Sequence, residues 1–69
     1  MLFTDVSSKQ AVQAFQKTGF WILRSGKNIG MTDGKRKIVI PRHTRVNPFT
    51  LKAIIRDAGL IDADFKKLL

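Results

Sequence analysis

Few residues in this chain of 69 could carry chemistry, and they are unevenly placed. There is one histidine, His43, set between Arg42 and Arg45. The five carboxylates, Asp5, Asp33, Asp57, Asp62 and Asp64, show no paired spacing suited to acid–base work. With no cysteine, there is neither a disulfide framework nor a thiolate zinc site, and one histidine excludes a histidine-rich metal site. What abounds is positive charge: thirteen Lys and Arg against five Asp, a net +8 and a pI of about 10.7. Seven of those cations, Arg24, Lys27, Lys35, Arg36, Lys37, Arg42 and Arg45, lie between positions 24 and 45 with only Asp33 opposed, so this segment carries +6 of the +8. A basic surface gains affinity for a polyanion by releasing counterions from its phosphates, which places nucleic acid first and an acidic protein face second.

Within that segment Gly26-Lys27-Asn28 stands out. Glycine permits close approach to the backbone, and a lysine beside it can stabilise phosphate charge. Lys35, Arg36 and Lys37 follow an Asp33-Gly34 turn, and Arg42 and Arg45 occupy a loop past Pro41; all five are candidate phosphate contacts. His43 reads as a loop residue, Lys52 and Arg56 as a solvated helix face, and Trp21 as core.

The elements that must position these groups follow from the pattern. Ser7-Ser8-Lys9-Gln10 has the form of a capping box. Ala11, Val12, Ala14 and Phe15 form an apolar helical stripe, and Gly19 suits a left-handed cap, which predicts a helix over residues 8–18. Residues 20–23 are aromatic and β-branched and predict a buried strand. In residues 28–32, Ile29 and Met31 alternate with Asn28, Gly30 and Thr32, so the first pair points inward and the other three outward. Asp33-Gly34 predicts a two-residue hairpin turn, and residues 36–40 a third strand ended by Pro41. Asn47-Pro48 opens a second helix whose apolar face is Leu51, Ile54, Ile55 and Ala58. Asp62 is a candidate cap for a last short helix carrying Phe65, Leu68 and Leu69. Two amphipathic helices share a core with so small a sheet only by lying on one of its faces, which leaves the other open.

Length sets limits too. Residues 1–69 are too short for two cores, a doubly wound nucleotide fold or a barrel enzyme. The longest apolar run has four residues, Phe20-Trp21-Ile22-Leu23, against about twenty for a membrane span. The first residues lack a basic region followed by an apolar stretch. The expectation is one small, ordered, cytoplasmic domain that does not engage a membrane.

The α-β-β-β-α order resembles a double-stranded-RNA-binding domain, an α+β fold with a three-stranded antiparallel sheet. More narrowly, the chain resembles the HicA family of toxin mRNA interferases. The stretches that carry the likeness are Gly19-Phe20, Arg24-Ser25-Gly26-Lys27-Asn28, Ile40-Pro41-Arg42-His43, Asn47-Pro48-Phe49-Thr50-Leu51 and Ile55-Arg56-Asp57-Ala58-Gly59-Leu60. The resemblance implies a toxin of a type II toxin–antitoxin system: a ribonuclease that cuts mRNA, needs no metal cofactor and is silenced by a HicB-type antitoxin. It also implies a catalytic histidine two places after a glycine where strand two begins. That glycine is Gly26, and the histidine's place is held by Asn28. Histidine can take the 2′-hydroxyl proton or protonate the leaving oxygen near neutral pH. Asparagine donates and accepts hydrogen bonds but does not titrate there. The expectation is a form that binds RNA and cuts it poorly or not at all. The alternatives are a non-catalytic RNA-binding domain of the same fold, and an interaction module for an acidic protein.

Overall fold

In the computed structural model, which describes residues 2–69, the first helix, α1 (Ser8–Gln16), begins at a complete capping box. The Gln10 amide donates to Ser7 Oγ at 3.1 Å, and the Ser7 amide donates to Gln10 Oε1 at 2.9 Å. Beyond the helix, Gly19 adopts a φ of 101° that favours glycine. Ala11, Val12, Ala14 and Phe15 form the buried stripe.

Three strands follow, β1 (Trp21–Ser25), β2 (Asn28–Thr32) and β3 (Lys37–Pro41), antiparallel and in spatial order β1-β2-β3. Ile29 faces Ile40 and Met31 faces Ile38 across the central pairing, and all four are buried. Then come α2 (Pro48–Asp57) and α3 (Asp62–Leu68). Asn47 Oδ1 accepts from the Phe49 and Thr50 amides at 2.9 and 3.2 Å, and Pro48 opens α2, where its missing N–H costs nothing. Both α1 and α2 pack on β3, and α3 packs on the two helices. The core is aromatic at its centre. The Phe15 ring lies 5.2 Å from Phe65 and 5.9 Å from Phe20, and Phe3 meets Phe65 edge-on at 5.2 Å. This is the expected α+β fold with helices on one sheet face.

Four details depart from the sequence reading. First, β1 is exposed along its length, Trp21 included at 50%. It is an edge strand, and a groove lined by Val12, Gln16, Ile22 and Ser25 separates it from α1, so even its helix-side residue Ile22 is uncovered. The strand runs on to Ser25, and its pairing with β2 shifts between Ile22 and Arg24, which sets Arg24 opposite Gly30 on the open face. Second, the β2–β3 connection spans residues 33–36, with the Asp33 amide donating to the Arg36 carbonyl at 3.3 Å. Asp33 Oδ1 and Thr32 Oγ1 bond the loop's amides, and that favours a four-residue loop over a tight turn. Third, Thr32 is only 6% exposed although it sits on the open face. Its hydroxyl donates to the Arg36 carbonyl at 2.7 Å and accepts from Gly34 at 3.0 Å beneath that loop. Fourth, the cap position of α3 falls on Ile61, whose backbone is extended, and Asp62 becomes the first helical residue, where its charge suits the helix N-terminus.

Candidate nucleic-acid interface

The β1–β2 turn is the centre of the site. Ser25 closes β1, Gly26 and Lys27 make the turn, and Asn28 opens β2 opposite Pro41 on β3. The Gly26 amide donates to the Asn28 carbonyl at 3.1 Å. From β3's far end, Arg42 Nε donates to the Gly26 carbonyl at 2.6 Å, and its guanidinium also reaches Ser25 Oγ. The turn is therefore held on both sides, and Lys27 and Asn28 stay exposed.

Register fixes what lies beside them. Residues opposite one another across antiparallel strands share a face. Arg24, Gly30 and Val39 form one row on the face no helix covers, Trp21, Thr32 and Lys37 a second, and Asn28 and Pro41 a third. Gly30 leaves the middle of that face without a side chain. The result is a shallow depression of about 320 Å³ lined by Arg24, Gly26, Lys27, Asn28, Gly30 and Val39. The lining holds two cations and a neutral amide, and no carboxylate. It can hold an anion of phosphate size by charge and hydrogen bonds, with backbone at close range. Its residues present no group that shuttles a proton near neutral pH.

Four of the expected residues, Arg24, Gly26, Lys27 and Asn28, thus meet in one place. The other five do not. Arg42 points behind the turn, toward the groove between α1 and β1. Lys35, Arg36 and Lys37 stand at the opposite end of the β2–β3 hairpin, about 13 Å along β2 from Asn28 at the usual strand rise. Of these, Lys37 shares the open face. Arg36 lies across the end of α2 and donates to the Asp57 carbonyl at 3.4 Å. Gly59 makes that approach possible, since a Cβ there would lie 2.9 Å from Arg36 Nε. Arg45 pairs with Asp5 at 3.3 Å on the surface. His43 is exposed in the 42–46 loop outside the depression, and its carbonyl accepts from the Ser8 amide at 3.0 Å. At the loop, the Arg36 amide and then the Lys35 amide, at 2.7 and 2.9 Å, hold the Asp33 carboxyl below its ordinary range.

Gly30, expected to point outward, and Val39 line the depression without having been among the expected site residues. The signal for Val39 was its alternation with Ile38 and Ile40. A larger groove, about 610 Å³, runs between α2 and α3 with Lys52 and Arg56 beside Phe49 and Ile61. Among the described residues, no helix is long and apolar enough to cross a membrane.

No curated protein matches the chain. Residues 8–60 match the family described as the HicA toxin of bacterial toxin–antitoxin. That span runs from the first residue of α1, through the whole sheet and the Lys27–Asn28 turn, to just beyond α2. A family match over so much of a chain with this fold is decisive: the chain belongs to the HicA toxin family, and its function is that of a toxin paired with an antitoxin.

Proposed function

We propose that this toxin acts on RNA in the cytoplasm, laying an mRNA strand across the open sheet face with a phosphate in the depression at Asn28. The observation that carries this reading is the gathering of Arg24, Lys27 and Asn28 around Gly26 and Gly30, with no carboxylate among them. Arg24 and Lys27 neutralise backbone phosphates, and Gly26 and Gly30 let the strand come close. The reaction of the family's implied nuclease is attack of the 2′-oxygen on the adjacent phosphorus. A P–O bond forms, the 5′-oxygen leaves, one proton departs from the 2′-hydroxyl and another arrives on the leaving oxygen. A titrating group at position 28 would serve one of these transfers, with water at the other. The Asn28 amide can orient the phosphate or the hydroxyl but moves no proton, so this form is an RNA binder whose nuclease step is disabled.

A HicB-type antitoxin, on this reading, silences the toxin by covering the open face and offering carboxylates to the segment between Arg24 and Arg45. The second reading, a non-catalytic RNA-binding domain, is favoured by the same amide.

The test is binding of a labelled single-stranded mRNA fragment at increasing salt. Affinity should fall steeply with salt, and Lys27→Ala should lower the slope of log K against log[salt] by about one. No binding at low salt, or an unchanged slope in the variant, would refute the placement of phosphate at this turn.

A further inference from the structure

We propose that Trp21 forms a base-stacking subsite on the open face, taking a nucleobase a few nucleotides from the phosphate held at Asn28. The inference rests on the RNA-binding reading above. Trp21 is opposite Thr32, which pairs in turn with Lys37, so the indole shares the helix-free face with Arg24, Asn28 and Lys37. It is half exposed, and its outer ring edge lies close over the 33–36 loop, 3.6 Å from where a Gly34 Cβ would stand. The ring is thus braced against the loop and still presents surface to solvent.

An exposed tryptophan is a poor choice for solubility alone, and this one stands where a polyanion would lie. Arg24 lies between Trp21 and the turn, and Lys37 stands in the same row as the indole, two strands across beyond Thr32. Alternation of cations with an aromatic platform is how sequence-tolerant single-strand binders hold a strand, because every base has a π face. From Thr32 to Asn28 is about 13 Å along β2, against about 3.4 Å for one stacked base step. The stacked base therefore belongs to a different nucleotide from the one at the turn. Trp21 would act as a positioning residue that sets the strand's register on the sheet, remote from the reacting atoms.

Trp21 is the only tryptophan in the chain, so its fluorescence reports on this subsite alone. Titration with a single-stranded RNA oligonucleotide should quench it. An abasic oligonucleotide with the same number of phosphates should bind more weakly and leave the emission unchanged. Trp21→Ala should weaken binding of the labelled RNA by about 5- to 150-fold, the range of one base–aromatic stack. Trp21→Phe should recover most of the loss, and it guards against a folding defect in the alanine variant. If RNA binds with the expected salt dependence but the emission does not move, or the abasic strand quenches equally, the subsite is wrong while the RNA-binding reading stands. If an acidic peptide quenches Trp21 and RNA does not, the face is a protein-docking surface and the proposal falls. If the parent chain binds no RNA, both readings fall together.

Discussion

At the scale of single residues, two side chains, one in the depression and one at the far loop, lead to testable expectations. Asn28 lines the depression as a hydrogen-bonding group that is neutral at every relevant pH, and on the proposed reading it binds without moving a proton. Asp33 does the opposite, giving the far loop a pH dependence. Its carboxylate is bonded by the Arg36 and Lys35 amides, so its pKa in the fold lies below the ordinary value of 3.8. A group depressed in this way contributes stability above its unfolded pKa and loses it as pH falls through the folded value. A carboxyl-carbon NMR titration should therefore place Asp33 below 3.8, and Asp33→Asn should flatten the loss of stability between about pH 5 and pH 2. A midpoint at or above the ordinary value would show that the loop bonds are not held in solution.

At the scale of elements, the helices were legible because their signals are local. Ser7 with Gln10, and Asn47 with Pro48, carry their own capping partners within three residues, and the apolar stripes of α1 and α2 need only periodicity. The strands were legible in order and, for β2 and β3, in facing. What could not be read was which strand the helices would cover. Residues 20–23 look the same whether buried or exposed: Phe20 is buried, whereas the exposure of Trp21, Ile22 and Leu23 follows from both long helices packing on β3. The site was half legible for a similar reason. Arg24, Gly26, Lys27 and Asn28 are contiguous enough for one turn to gather them, whereas Arg42 depends on which side of that turn the chain returns. It returns behind it, which makes Arg42 a brace for the turn. Arg42→Ala should cost about 0.5–1.5 kcal/mol, the usual net worth of a hydrogen bond, and speed amide exchange at Gly26. Unlike Lys27→Ala it should leave the salt slope of RNA binding unchanged. A slope reduced by one in Arg42→Ala would return that residue to the phosphate contacts.

At the scale of the whole molecule, a small core supports a highly charged surface. Phe65 comes from α3, beyond the residues that match the family, yet it is fully buried between Phe3 and Phe15. Phe65→Ala should cost about 3–5 kcal/mol, against a total of about 3–10 kcal/mol for a chain of this length. Circular dichroism should then show a largely unfolded chain at 37 °C; a melting temperature within a few degrees of the parent's would mean that α3 is dispensable. The net +8 also bears on stability, since self-repulsion falls when a polyanion or an acidic partner binds. The helices use one face of the sheet to build the core and leave the other, with its cations and its tryptophan, free for that partner.

On the proposed reading this toxin holds RNA at the β1–β2 turn and lacks only a titrating group there. The most direct measurement compares RNA cleavage by the chain and by Asn28→His in chelator-containing buffer across neutral pH. The histidine form should cut about 10² to 10⁴ times faster, while both forms bind RNA with similar affinity. Equal cleavage by the two, or cleavage by neither despite tight binding, would contradict it.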